Sequence, residues 1–299
     1  MTGHHHSHQH ELSNRRIGLA FFLNAAFTAI ELVGGWLTNS TAIMADAVHD
    51  LGDTLAIGLG WLLQRYSTKA ADEEYSYGYR RFSLLGAVIN AAILISGSLL
   101  ILMEAIPRLW APEMPNVKGM LALAILGVIV NSLAALGLRG GKSLNEQVLN
   151  LHFLEDVLGW IAVLIVSLVL WFYPLPILDP LLSIGFTLFI LWRVAQTIRQ
   201  ALRIFLQSVP DKALLTDIKS HLRSLPQVND IHHLHLWSLD GEHHVLTAHL
   251  SLNQELDIPS LKNLKCEVES KLAHYGLAHT TIEVEFPNES CRDAGSASS

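Results

Sequence analysis

Two His-x-x-x-Asp pairs stand in the apolar part of the chain, the first within MADAVHDLGD and the second within LNLHFLEDVLGW. They consist of His49 with Asp53 and His152 with Asp156. Residues four apart in a helix lie one above the other, so each pair presents an imidazole and a carboxylate on one face. Two such pairs on separate helices supply two nitrogens and two oxygens, which are donors that suit a tetrahedral Zn²⁺ site. The spacing therefore predicts a metal site between two helices.

These residues also have a purely structural interpretation, because polar side chains of neighbouring membrane helices pair by hydrogen bonds or ion pairs. An ionisable group at mid-bilayer costs at least about 2.5–3.5 kcal/mol, so it survives where it meets a cavity, a partner or an ion. Because two pairs with the same spacing occur on separate helices, a bound metal ion is favoured over a purely structural role. We expect Asp46 and Asp50, one turn away, to line an entrance or a hydrated cavity. Glu155 is expected at the helix end or around the site.

The segments around both pairs are typical of a membrane protein. Of 299 residues, 51% are hydrophobic and only 16% are charged, whereas roughly 25% are charged in soluble proteins. A helix needs about 20 residues to cross the hydrocarbon core. We therefore expect six transmembrane helices, on the apolar runs 17–38, 51–66, 84–107, 117–138, 157–173 and 175–192. The fifth should begin near Gln147 and the sixth should reach about Ala201.

The charged residues predict the orientation and exclude one class of partner. Six spans divide the connecting segments into two sides, and one of these carries only Arg108 and Lys118. The other side collects Arg15, Arg16, Arg65, Lys69, Arg80, Arg81, Arg139, Lys142, Arg193, Arg199 and Arg203. Positive segments stay in the cytoplasm, so both termini are expected there. The net charge of −7, without a basic patch, argues against a nucleic-acid partner.

From about residue 204 the composition changes to that of a small α+β domain. An amphipathic helix is predicted first, then two strands with a turn near Asp240 and Gly241, a second helix and a third strand in HTTIEVEF. The order αββαβ is that of ferredoxin-like and metallochaperone-like domains. We therefore expect a His-rich tail at 1–14, a six-helix transmembrane domain at 15–203, the α+β domain at 204–287 and a disordered tail at 288–299.

Together these segments resemble the cation diffusion facilitator family, in particular its zinc-exporting branch. The resemblance covers nearly the whole chain and rests on NSTAIMADAVHDLGD, YSYGYRRFSLLGAVINAAIL, LNLHFLEDVLGW, ILDPLLSIGF, IHHLHLWSLDGEHHVLTAHL and HTTIEVE. It implies a homodimer in the lipid bilayer that exports divalent metal in exchange for protons as counter-ion. It also implies that the transport-site ligands are His49, Asp53, His152 and Asp156.

The resemblance implies a second metal site in the C-terminal domain, where Zn²⁺ would act as a regulatory ligand. The residues that match are His232, His249 and Glu285, with His279 as a further candidate. Strand alternation places His249 and Glu285 on one sheet face. The alternative is that this polar face serves for dimer contact. The N-terminal HHHSHQH stretch either collects metal or is a solvated tail, and the sequence favours neither.

The predicted function is a Zn²⁺/H⁺ antiporter that works by alternating access in the inner (plasma) membrane of a bacterium. It is a secondary active transporter and not an enzyme. Two alternatives remain open: a broader exporter of Co²⁺, Cd²⁺ or Ni²⁺, and a membrane metal sensor that uses the C-terminal histidines. An intramembrane metal hydrolase would need an open coordination position and a base beside the metal. The sequence contains no His-Glu-x-x-His segment.

Overall fold

A computed structural model of the chain describes residues 4–139 and 144–293, with the side chains of residues 21–59, 62–63, 66–139 and 150–293. The side chains of the histidine stretch and residues 294–299 of the predicted tail lie outside this description. The described residues form two compact units. One contains those up to residue 63 and from 86 to 198, and the other those from 64 to 85 and from 199 onward. The four predicted segment boundaries stay predictions.

Six long helices precede the C-terminal domain: α1 (His4–Thr38), α2 (Thr41–Ser67), α3 (Phe82–Ala105), α4 (Val117–Leu138), α5 (Leu144–Phe172) and α6 (Leu178–Phe205). Among the described residues, every one of these helices except α2 is long and apolar enough to cross a membrane. Helix α2 has the length, 27 residues, but carries three aspartates in its first half. Helix α2 begins before the apolar run at 51–66, so Asp46 and Asp50, which precede that run, are part of the helix. The six predicted helices are present.

The start of α2 is tied to the start of α6 by one buried carboxylate. Asp179 accepts hydrogen bonds from the backbone nitrogen of Thr41 at 2.7 Å, from the Thr41 hydroxyl at 2.9 Å and from the Ser40 hydroxyl at 2.5 Å. The first backbone N–H groups of a helix have no partner within it, and a carboxylate there also complements the helix dipole. Asp179 therefore fixes the point at which α2 begins. It thereby also fixes the position of the acidic residues of α2 along the helix axis.

Helix α5 packs closely against α4 over a glycine. A Cβ atom at Gly127 would lie 2.2 Å from Cδ2 of the fully buried Trp160, so only glycine leaves room for that ring. The same ring meets Phe27 of α1 edge-on at 5.6 Å. Trp160 lies one turn beyond Asp156, so this packing fixes the rotation of α5 about its axis.

The C-terminal domain has the predicted order αββαβ, which confirms the fold class. Its elements are α7 (Lys212–Arg223), β1 (Val228–Ser238), β2 (His244–Leu252), α8 (Ile258–Leu272) and β3 (Leu277–Glu285). The sheet order is β1-β2-β3, with β1 and β2 antiparallel and β2 and β3 parallel. Gly241 adopts a φ of 104° in the turn between β1 and β2, where the sequence predicts one.

The two helices cover one face of this sheet, and a bulge shapes the other. The core contains Leu236, Leu246 and Leu250 of the strands, packed against α7 and α8. In β1 the register shifts between His232 and His235, and His233, between them, has a φ of 47°. The bulge pairs His232 with His249 and His235 with Thr247. An uninterrupted strand would send residues 232 and 235 to opposite faces. Here both face away from the helices.

Candidate metal centres

The structure brings the two His-x-x-x-Asp pairs together between α2 and α5. We call His49, Asp53, His152 and Asp156 the membrane cluster. Oδ2 of Asp53 lies 3.6 Å from Nε2 of His49 and 3.4 Å from Nδ1 of His152. Nε2 of His152 lies 3.5 Å from Oδ2 of Asp156. Around a tetrahedral Zn²⁺ ion, neighbouring donors are roughly 3.3–3.6 Å apart. Each of these spacings fits two neighbouring ligands of such an ion, and the two carboxylates meet different nitrogens of the His152 ring.

The imidazole of His152 stands between the two carboxylates of this cluster. Its Nδ1 points to Asp53 and its Nε2 to Asp156. The donor atoms of His49, His152 and Asp156 lie within 4.8 Å of one another. Because one ring gives one nitrogen to an ion, the other nitrogen is left to pair with a carboxylate, as in many histidine-ligated metal sites. Asp53 can therefore bind the ion or hold His152 in position.

Several polar atoms of the membrane cluster are buried without a hydrogen bond. Among the described residues, neither carboxylate oxygen of Asp156 has a hydrogen-bond partner, and neither does Nε2 of His152. An unsatisfied buried polar group costs about 1–3 kcal/mol, and more when it is charged. A hydrogen-bonded network between helices would have paired these atoms. Their arrangement instead favours a site that is completed by an ion.

A cavity of about 340 Å³ opens beside the cluster, with a lining that includes Asp46, His49, Glu155, Asp156, Gly159 and Phe186. Asp46 thus lies where the sequence predicts a cavity residue. Glu155 pairs with Arg193 of α6 at 2.7 Å. Asp50 is fully buried instead, as is Glu31 of α1. The carboxyl groups of Asp50 and Glu31 are within hydrogen-bonding reach of each other.

A second set of metal-binding side chains meets on the sheet face that the helices leave free. We call His232, His249, Glu285 and Cys291 the sheet cluster, and their donor atoms lie within 4.8 Å of one another. The Glu285 carboxylate is 3.0 Å from Nε2 of His232 and 2.9 Å from Nδ1 of His249. Sγ of Cys291 lies 3.5 Å from Nδ1 of His249. Three of these residues are predicted from the sequence, and the bulge in β1 places His232 among them.

Cys291 is absent from the sequence prediction, which includes it in the C-terminal tail. The sequence does contain a signal for this residue, because Cys291 follows shortly after Glu285, the last residue of β3. Burial and the Glu285 carboxylate raise the pKa of the Cys291 thiol. Burial alone would raise the pKa of Glu285, but hydrogen bonds from His249, Cys291 and His232 outweigh it and lower that pKa. A carboxylate, two imidazoles and a thiol that loses its proton on binding form a donor set for Zn²⁺.

His279, the fourth residue predicted for this site, is not brought into the sheet cluster. It pairs with Val245 in the sheet, and its ring lies 5.0 Å from that of Tyr77. Tyr77 in turn lies 5.5 Å from the ring of Trp237. His279 therefore packs against an aromatic side chain of the segment between α2 and α3.

Two protein-family models match the chain. One describes the cation efflux transmembrane domain and matches residues 17–206. The other describes the cytoplasmic domain of cation efflux proteins and matches residues 210–286. Together the two matches include both metal clusters except Cys291.

Individual proteins are similar over nearly the full length. A "Cadmium, cobalt and zinc/H(+)-K(+) antiporter" from Bacillus subtilis is 31% identical over 284 residues, covering 94% of this chain and 91% of that protein. "Zinc transporter ZitB" from Shigella flexneri is 32% identical over 293 residues, covering 94% and 92%. "Metal cation efflux system protein CzcD" from Cupriavidus metallidurans is 30% identical over 289 residues, covering 94% and 90%.

Proposed function

Because the chain belongs to the cation efflux family, whose members are transporters and not enzymes, we propose that it exports Zn²⁺ from the cytoplasm in exchange for protons. It is an integral membrane protein whose substrate is a divalent metal cation. The observation that supports this proposal most strongly is the membrane cluster. Two imidazoles and two carboxylates converge there, and the buried donor atoms of Asp156 lack other partners.

The donor types favour Zn²⁺ as the substrate. Imidazole suits Zn²⁺, Co²⁺ and related borderline ions, whereas sites made of oxygen alone suit Mn²⁺ and Mg²⁺. One relative is named a zinc transporter and another is named for cadmium, cobalt and zinc. We therefore place Zn²⁺ first and expect Co²⁺ and Cd²⁺ to be accepted as well.

Proton exchange follows from the chemistry of the same donors. Imidazole and carboxylate bind metal only when deprotonated, so protons and metal compete for one site. Histidine ordinarily titrates near neutral pH, which makes this competition effective in cells. In the inward-facing state the membrane cluster takes up Zn²⁺ through the cavity that Asp46 lines. In the outward-facing state protons displace the ion, and the protonated site returns.

We also propose that two copies of the chain assemble in a bacterial plasma membrane with their termini in the cytoplasm. The distribution of arginine and lysine supports this orientation, and the relatives named above are bacterial proteins. The sheet cluster belongs to the domain that the family places in the cytoplasm. There it can bind the metal that the membrane domain exports, so a regulatory role for Zn²⁺ at that cluster fits the proposal.

Metal flux into proteoliposomes tests the proposal directly. Purified protein is reconstituted with a metal-sensitive dye in one vesicle population and a pH dye in another, and Zn²⁺, Co²⁺, Cd²⁺ and Mn²⁺ are compared. We expect Zn²⁺ entry to release protons from the lumen and to accelerate when the lumen is made acidic. Glu104→Gln serves as a control, because Glu104 is an exposed carboxylate of α3 that pairs with Arg108.

Three outcomes would contradict parts of the proposal. Zinc flux that neither moves protons nor responds to the gradient would indicate a uniporter or channel. A preference for Mn²⁺ over Zn²⁺ would contradict the assignment of the substrate. Metal binding without any flux would favour the membrane sensor.

A further inference from the structure

A third group of metal-binding side chains lies on the helical side of the C-terminal domain. Asp217 and His221 stand one turn apart on α7, and His274 belongs to a short 3-10 helix, Ala273–Tyr275, that follows α8. We call these three residues the helix cluster. Their donor atoms lie within 4.8 Å of one another, and the two imidazole rings are 5.7 Å apart. We propose that the helix cluster binds a divalent cation of the Zn²⁺ or Co²⁺ class, as a site separate from the membrane and sheet clusters.

The separation follows from the architecture of the domain. Helices α7 and α8 pack on the sheet face that carries Leu236, Leu246 and Leu250. Neighbouring residues of a strand point to opposite faces, so His249 points away from both helices. The sheet and its core therefore lie between the helix cluster and the sheet cluster, and the two groups cannot share one ion.

The donor set is one that proteins use for zinc. Two imidazoles and one carboxylate are the protein ligands of zinc sites that keep an open position for water. Asp217 and His274 are exposed and His221 is half-buried, so water reaches the remaining position. Three ligands, two of them exposed, hold a metal less tightly than the four half-buried or buried ligands of the sheet cluster. We therefore expect the helix cluster to fill after the sheet cluster as the metal concentration rises.

Tyr275 already orders two of the ligands. Its hydroxyl lies 2.6 Å from Oδ2 of Asp217 and 2.5 Å from Nδ1 of His221. The hydroxyl donates its proton to the Asp217 carboxylate, which can only accept. The hydroxyl oxygen then accepts from Nδ1–H of His221. Its partners thus assign the tautomer in which Nε2 of His221 carries the lone pair that a metal needs.

The experiment measures bound metal per chain in the full-length protein in detergent. The histidines at positions 4, 5, 6, 8 and 10 are first replaced by serine, so that the N-terminal stretch holds no metal. Zn²⁺ and Co²⁺ are then added by equilibrium dialysis and counted by elemental analysis. We expect His274→Gln and Asp217→Asn each to bind one equivalent of metal fewer than the parent protein. The double variant should also bind only one equivalent fewer, because both residues hold the same ion.

Two further variants make the result specific. His243→Gln is the matched control, because that histidine belongs to the same domain and pairs with Asp240 at 2.7 Å. This variant should bind as many equivalents of metal as the parent protein. Tyr275→Phe keeps all three ligands but removes the hydroxyl, so the equivalent should remain and bind about 10-fold more weakly, as for other outer partners of metal ligands.

The thermal midpoint of each variant in chelator shows whether it folds. A folded His274→Gln variant that binds as many equivalents as its parent would overturn the site. A double variant that loses two equivalents would overturn the claim of one shared ion. Added to Asp156→Ala or to His249→Ala, His274→Gln should remove one further equivalent, and an unchanged count would assign that equivalent to the membrane cluster or the sheet cluster. None of these results would bear on metal flux, so the inference and the proposed function fail separately.

Discussion

The membrane cluster and the sheet cluster use similar donors, but the chain brings those donors together by different rules. In the membrane cluster each helix contributes a histidine and an aspartate four residues apart, and the helix itself aligns them. In the sheet cluster the donors come from β1, β2, the end of β3 and a residue beyond it. Their alignment depends on strand pairing and on a bulge at His233. A site on helices is thus local in sequence, whereas a site on a sheet is assembled from distant segments.

The two clusters also differ in the hydrogen bonds that their donor atoms make within the protein. In the sheet cluster, Glu285 is hydrogen-bonded to both histidines. In the membrane cluster, the oxygens of Asp156 have no hydrogen-bond partner among the described residues. A site whose donors are paired without the ion is stable when empty. A site with unpaired buried donors gains more from an ion or a proton, which suits a transport cycle that must always carry one or the other.

The largest effect is expected for Asp156→Ala, which removes a buried donor of the membrane cluster. Loss of an outer partner of a metal ligand already costs about 10–100-fold, so loss of a ligand should reduce zinc flux by more than about 100-fold. The sheet cluster should keep its metal, because it uses other residues. Flux in proteoliposomes and bound metal per chain are measured on the same preparation.

His249→Ala provides the reciprocal variant. It should remove the metal of the sheet cluster while flux remains measurable. If Asp156→Ala instead transports zinc at a near-normal rate, the membrane cluster is not the transport site. If each variant empties both clusters, the two sites are not independent and the comparison between them fails.

A smaller effect is expected for Cys291→Ser, which tests the ligand that distinguishes the sheet cluster from the membrane cluster. Serine keeps the size of the side chain but gives Zn²⁺ a poor donor. We expect metal affinity at the sheet cluster to fall about 10-fold or more. With Co²⁺ as a probe, the thiolate-to-cobalt absorption band should disappear. Cys266→Ser is the matched control, because Cys266 is exposed on α8, and it should leave that band unchanged.

The sequence alone predicts the six long helices and the four residues of the membrane cluster, because the helical period relates residues 49 and 53 as well as 152 and 156 without any tertiary information. It also predicts the order of elements in the C-terminal domain. It does not predict that Asp179 anchors the start of α2, since that contact joins residues 138 positions apart. Cys291 could not be found by alternation, because it lies beyond the last strand. His279 follows the strand pattern, yet its ring packs on Tyr77.

The smallest effect concerns His233, on which the geometry of the sheet cluster depends. A residue other than glycine pays about 1–2 kcal/mol for a left-handed backbone conformation, and a β-branched residue adopts it least readily. Because His233 already pays part of that cost, His233→Val should lower the free energy of unfolding of the C-terminal domain by about 1 kcal/mol and weaken metal binding at the sheet cluster. His233→Gly should tolerate the φ of 47° and keep that binding, because glycine has no Cβ to clash. Denaturant unfolding in chelator, followed by Co²⁺ titration of the refolded protein, measures both quantities. Equal metal affinity in the valine and glycine variants would mean that the bulge does not position His232, and the membrane cluster should be unaffected in either case.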